Sequence, residues 1–166
     1  MRASCSERGL RTPGTRGFTV VELIAVMIVA AALAVVVMPR LGGALSMRHD
    51  AWRDTVLAAL RTAQATSHGH RRLVCVDFTS TTVSLRLATL NPASACDAVL
   101  PGPDGASVWA RDAAAGSTSV SPAGTLYFQP DGRVSSDGAG TTLVDRSIVV
   151  SGSAAITLSA ETGHAR

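Results

Sequence analysis

From Phe18 to Met38 the chain reads F-T-V-V-E-L-I-A-V-M-I-V-A-A-A-L-A-V-V-V-M, an apolar run in which Thr19 and Glu22 are the polar positions. As a helix, such a run extends about 31 Å at 1.5 Å per residue, enough to cross the hydrocarbon core of a bilayer. Glu22 is the anomaly, because an ionisable group at bilayer depth costs roughly 2.5 to 3.5 kcal/mol even on the lenient insertion scale. Beyond it the pattern changes. Trp52, Val56, Ala59, Leu60 and Ala63 recur at three- and four-residue steps, while Arg48, Asp50, Arg53 and Arg61 fall largely elsewhere, which predicts an amphipathic helix over 40–69. Between the two, Pro39 removes a backbone donor and Gly42-Gly43 lowers helix propensity, so a bend or local melting is expected. The helix is expected to stop near His68-Gly69, with His70, Arg71 and Arg72 suiting the negative end of its dipole.

After Arg72 the period falls to two, which predicts sheet over 70–166. Leu73–Phe78 and Thr82–Leu90 flank Thr79-Ser80-Thr81 as a hairpin. Asn91–Gly105 and Ala113–Gly124, rich in Pro, Ala, Asp, Ser and Gly, read as loops. Thr125–Gln129 and Arg133–Ser135 flank Pro130-Asp131-Gly132, a turn in which proline sets the first φ and glycine accepts the left-handed position. Arg146–Val150 and Ala155–Ser159 make a last pair around Ser151-Gly152-Ser153. The fold class that follows is α+β: a long N-terminal helix, its second half packed on a C-terminal antiparallel sheet system.

Composition adjusts this picture in two places. The 166 residues suit one modest domain plus an anchor, and with aromatics at 4% the core must be built from Val, Leu, Ile and Ala. The formal net charge is +3, and Arg2, Arg8, Arg11 and Arg16 against Glu7 place all of it within residues 1–17. The remainder balances, so global charge supplies no argument for a nucleic-acid-binding domain. A basic leader before an apolar run also describes a secretory signal, but that class has a shorter apolar region ending at small residues. Here the run ends in Met38-Pro39-Arg40, which favours a retained transmembrane helix with the basic leader in the cytoplasm and the rest outside. On these residues alone a plain single-pass anchor remains open.

The segment G-F-T-V-V-E-L, Gly17 to Leu23, resembles the type IV prepilin signature. In that family a prepilin peptidase cuts after the glycine and the new N-terminal residue, usually phenylalanine, is N-methylated. The resemblance implies cleavage between Gly17 and Phe18, methylation of Phe18, a helix kink at Pro39, and Glu22 as the fifth residue of the mature chain. Such a glutamate can neutralise the N-terminal ammonium of a neighbouring subunit, pairing two charges that are each costly alone. Further on, A-L-R-T-A-Q, L-V-C-V-D-F, L-Y-F-Q-P-D-G-R and I-T-L-S-A-E-T-G-H-A-R are similar to the GspH/FimT-type minor pilins and pseudopilins. The pieces F-x-x-x-G-R and E-T-G-x-x-R also resemble minor pilins of mannose-sensitive haemagglutinin pili.

The resemblance implies a pilin-like fold and a structural role in a type IV pilus or a type II secretion pseudopilus. Its parts are a cleaved leader (1–17), a transmembrane and assembly helix (18–39), an amphipathic continuation (40–69) and a periplasmic or extracellular β-rich domain (70–166). The implied partners are prepilin peptidase, other pilins or pseudopilins, and an inner-membrane assembly platform; the implied location is the bacterial inner membrane and then the fibre. Some FimT-like minor pilins are associated with DNA uptake, and the closing G-H-A-R makes Arg133 and Arg166 possible phosphate contacts. His164 stands where an arginine would strengthen that match, and the balanced charge of the mature chain argues against it.

Cys5 falls in the leader, leaving Cys75 and Cys96 to form a disulfide in an oxidising compartment or to remain two separate thiols. His68-x-His70 lacks a third nearby ligand at a zinc spacing and reads as a solvated helix end. No G-x-S-x-G, P-loop or H-E-x-x-H occurs, so no enzyme and no cofactor are expected.

Overall fold

A computed structural model describes residues 19–114 and 117–166, with the side chains of 36–46 left out of the description. The chain divides into two compact units, Met1–Leu41 and Gly42–Arg166. One helix, α1, runs from Val20 to His70. Local melting at Pro39 and Gly42-Gly43 does not occur: the backbone stays helical through all three. Proline already holds the helical φ, so what it must forfeit is a backbone hydrogen bond rather than the conformation.

In the larger unit, Trp52, Val56, Leu57, Ala59, Leu60 and Ala63 are buried, so the stripe spaced by threes and fours is the face that enters the core. Arg61, Asp54 and Ala58 lie exposed on the far side. The helix runs past Gly69 and closes in a Schellman arrangement, with the Arg72 amide donating to the Ser67 carbonyl at 3.1 Å. This puts Arg71, rather than a glycine, in the left-handed conformation at φ 51°. A side chain there costs about 1 to 2 kcal/mol. The Asn91 side-chain amide donates to the Arg71 carbonyl at 2.7 Å and helps to hold the turn.

Every strand pairing is antiparallel, and the strands form two sheets. The first is built on β1 (Val74–Phe78), flanked by β2 (Thr82–Leu87) on one edge and β6 (Leu126–Phe128) on the other, with β7 (Val134–Ser135) beyond β6. The free edge of β2 takes two short strands, β3 (Ala98–Leu100) against Leu85–Leu87 and β4 (Ala110–Arg111) against Thr82–Val83. The second sheet orders β5 (Thr118–Ser121), β8 (Arg146–Val150) and β9 (Ile156–Leu158). Alternation decides which side chains go inward: Ile148 and Val150 of β8 are buried while Val149 between them is 41% exposed.

Two stretches expected to be loops therefore contain strands. Ala98–Leu100 lies within Asn91–Gly105, and Thr118–Ser121 within Ala113–Gly124. Neither carries a strong apolar run of its own; each forms because a partner strand offers an unpaired edge. Thr118 is also tied to the helix, its hydroxyl accepting from the Trp52 indole N–H at 2.8 Å in the buried interior. The predicted hairpins Leu73–Phe78 with Thr82–Leu90 and Arg146–Val150 with Ala155–Ser159 are present, Arg146–Val150 at its expected bounds and the other three strands shorter.

Cys75 and Cys96 form a disulfide with a Cα–Cα distance of 6.1 Å, closing a sequence separation of 21. It pins the stretch after β2 onto β1 beside Leu73, Ala88, Ala93 and Tyr127. Closing a loop of this length stabilises by about 3 kcal/mol in the chain-entropy treatment. Cys96→Ser combined with Cys75→Ser should lower unfolding stability by about that amount in denaturant titration. A double variant with an unchanged midpoint would show that the bridge contributes nothing.

Candidate assembly surface

The helix begins on a local signal that the sequence carries openly. In T-V-V-E, Thr19 precedes the helix and its hydroxyl accepts from the Glu22 amide at 3.2 Å, while its carbonyl accepts from the Leu23 amide at 3.1 Å. Thr19 is thus the N-cap and Glu22 the third helical residue, the spacing of a capping box. A carboxylate in the first turn is also favoured by the helix dipole, by about 0.3 to 1 kcal/mol at an exposed site. That local gain is several-fold smaller than the roughly 2.5 to 3.5 kcal/mol cost of an ionised group at bilayer depth. Capping explains why Glu22 is tolerated at a helix start; it would meet only a minor part of the cost if that start lay within a bilayer.

Around Glu22 the described helix is apolar on every side. Val21 is 76% exposed, and Leu23, Ile24, Val26, Met27, Ile28 and Val29 are each more than half exposed. A helix apolar all round belongs in a protein core or in lipid. Glu22, Ala25, Val26, Val29, Ala30 and Leu33 line one shallow groove of about 420 Å³, at helical spacing. The alanines at 25 and 30 lower the surface between Val26, Val29 and Leu33, so the groove offers close approach to a second helix with a carboxylate at its N-terminal end.

Gly17 and Phe18 lie outside the described residues, as does the side chain of Pro39, whose backbone is helical. Among the described residues no helix is long and apolar enough to cross a membrane. The apolar run described with side chains, Val20–Val35, spans about 24 Å, short of a 30 Å hydrocarbon core, and the expected span Phe18–Met38 extends past it at both ends.

The two arginines considered for phosphate contact go to different places. Arg133 Nε donates to Asp131 Oδ2 at 2.6 Å, and its amide donates to Asp131 Oδ1 at 3.0 Å. Partial burial pushes the Asp131 carboxyl up, but the amide bond, the guanidinium bond and the charge of Arg133 together outweigh it and hold the group below its ordinary value. Arg166 instead pairs with β9: its amide and carbonyl bond Thr157, and its Nε donates to the Thr157 hydroxyl at 3.3 Å. Arg133 is thus already matched with a carboxylate, and Arg166 lines a hollow that Arg133 does not. Among the described residues no group of three or more His, Cys, Asp or Glu could hold a metal ion, His68 and His70 included.

The motif glycines do meet. A Cβ added at Gly163 would stand 2.1 Å from the Gly132 carbonyl oxygen and 3.1 Å from Gln64 Nε2. Gln64 Nε2 itself donates to the Thr162 carbonyl at 2.7 Å. The pieces P-D-G-R and E-T-G-H-A-R are therefore packed together against the end of α1, and Ala165 just beyond is 1% exposed and part of the core. In this structure their glycines serve tail docking, a role that neither motif announces when read alone.

No protein-family model, curated protein or solved structure matches the chain.

Proposed function

We propose that this chain is a structural subunit of a type IV pilin-like fibre, a minor pilin or pseudopilin. The observation that carries the reading is Glu22, an ionisable group in the first turn of a helix whose stretch Val20–Val35 is otherwise apolar and exposed on every side. In the proposed precursor the helix anchors the chain in the inner membrane, with the leader cytoplasmic and the β-rich unit in the periplasm. Cleavage after Gly17 exposes the Phe18 amine, and in the fibre this ammonium meets the Glu22 carboxylate of a neighbouring subunit. Apolar helix faces then cover one another, while the sheet unit faces other subunits.

Support comes from the match of Gly17, Phe18 and Glu22 to the prepilin signature, from the α+β architecture, and from a disulfide of the kind an oxidising compartment sustains. The α+β arrangement, with the second half of a long helix buried by antiparallel sheets, is compatible with a pilin-like fold. The type IV pilus and the type II secretion pseudopilus both accommodate this subunit. The pairing of Arg133 with Asp131, apart from Arg166, gives the DNA-binding alternative no added support.

The reading is tested at the N-terminus. Mass spectrometry of the membrane-derived protein should find a chain beginning at Phe18 and carrying an N-methyl group. A population retaining residues 1–17 in a peptidase-competent cell would mark the helix as a plain anchor.

A further inference from the structure

A disulfide exchanges partners when a thiolate attacks one of its sulfurs and the other leaves as a thiolate. Access helps to decide which sulfur is taken, and the two halves of the Cys75–Cys96 bridge differ in it. Cys75 is the second residue of β1, set between Arg86 of β2 and Tyr127 of β6, and is 5% exposed. Cys96 lies outside any strand, is only partly buried, and has an exposed residue on either side, Ala95 and Asp97. Irregular segments open at lower cost than paired strands. Cys96 is therefore brought to solvent by movement of its own stretch, whereas Cys75 is fixed in the sheet beneath it.

That stretch is also held without the bridge. Asp97 accepts from the Thr89 amide at 2.7 Å and from the Thr89 hydroxyl, and its own amide donates to the Leu87 carbonyl at 3.3 Å. From Ala98 the chain pairs with β2 as β3, and upstream Asn91 is tied to the Arg71 carbonyl. With the bridge open these bonds keep Cys96 near Cys75, so the two sulfurs rejoin without refolding of the whole unit.

We propose that Cys96 is a thiol-exchange site, the sulfur through which an external disulfide or thiol is joined to this chain. In the forming direction the Cys96 thiolate attacks the external disulfide, a mixed S–S bond forms on Cys96, and one external thiolate leaves. The Cys75 thiolate then attacks Cys96 Sγ, the internal bridge forms, and the second external thiolate leaves. The two cysteines together give up two electrons, the external disulfide is reduced to two thiols, and the cysteine protons pass to the departing thiolates. Reduction retraces these steps, again through the mixed disulfide on Cys96. The site is independent of how the N-terminal helix is used.

The test uses the full chain in neutral detergent micelles, with Cys5→Ser throughout and either Cys75→Ser or Cys96→Ser added. Both variants lack the bridge, so the stability lost with it is common to them. Under native conditions Cys75→Ser should take up glutathione from glutathione disulfide at least about tenfold faster than Cys96→Ser, read by intact mass. In concentrated urea the two should react alike. A thioredoxin-fold oxidoreductase in its disulfide form is the second probe: faster capture by it at equal concentration identifies a protein partner, and faster capture by glutathione disulfide a small one. In a further measurement the bridged chain, with Cys75 and Cys96 both present, is held with reduced glutathione and quenched in acid. Peptide mapping should place the glutathionyl group on Cys96. Circular dichroism establishes that each variant is folded, and the map of the bridged chain decides alone where one is not. Equal or inverted native rates in folded variants, glutathione on Cys75 of the bridged chain, or no adduct at either cysteine overturns the proposal.

Discussion

Glu22→Ala should insert into the membrane at least as well as the parent chain and yet be lost from fibres by more than a hundredfold. The two halves of this result have opposite signs for one reason. Removing a carboxylate from an apolar helix relieves a cost of roughly 2.5 to 3.5 kcal/mol on insertion. In the proposed fibre the same change strands the Phe18 ammonium of a neighbour without its partner. Breaking one side of a buried charge pair costs about 3 to 5 kcal/mol, and each 1.4 kcal/mol is a factor of ten in equilibrium. The Thr19 cap survives the substitution, because it uses the Glu22 backbone amide and not the side chain. Helix formation should therefore persist, with only the smaller dipole term lost. Immunoblotting of membrane and sheared-fibre fractions reads both quantities, and Glu22→Gln separates charge from size. Fibre incorporation of the alanine variant at the parental level would remove the role given to the carboxylate.

Gly163→Ala should destabilise the sheet unit by about 3 kcal/mol or more, lowering its melting temperature by about 10 °C. Gly163 has φ +64°, where a side chain already costs about 1 to 2 kcal/mol, and the added methyl would stand 2.1 Å from the Gly132 carbonyl oxygen. That oxygen belongs to a turn held by the Gly132 amide donating to the Gln129 carbonyl at 2.8 Å, so it cannot move aside freely. Relief must come from the tail, at the cost of the Gly163-to-Ser159 bond, the Gln64 contact and the buried Ala165. Gly105→Ala is the control: φ is +79°, nothing lies within 4 Å of the added carbon, and the change should cost about 1 kcal/mol. Equal losses for the two variants would show that backbone conformation, and not the contact between the two motifs, sets the requirement at 163.

This contact also marks where sequence reading stops. The buried face of α1 was legible at Trp52, Val56, Ala59, Leu60 and Ala63, because a helix facing one core imposes a period that side chains must obey. Hairpins around Thr79-Ser80-Thr81 and Pro130-Asp131-Gly132 were legible for a similar local reason. The strands Ala98–Leu100 and Thr118–Ser121 were not, since their pairing depends on the open edges of β2 and β8 rather than on their own residues. Gly132 announced a turn and Gly163 stood in a closing motif, and neither announced the other. Thr19 is a different case: T-V-V-E is a capping signature readable from sequence, overshadowed by the question of the charge it contains. Arg146 looked like one arginine among many until burial singled it out.

In the proposed fibre the exposed apolar stretch of α1, Val20–Val35, is covered by other subunits. Shearing fibres from intact cells, and measuring this chain in the pelleted filaments against the membrane fraction, tests it most directly. The mature chain should co-sediment with the filaments at low copy, and Glu22→Ala should remain behind in the membrane. Recovery of the parent chain solely in the membrane, from cells that assemble the filament normally, would contradict it.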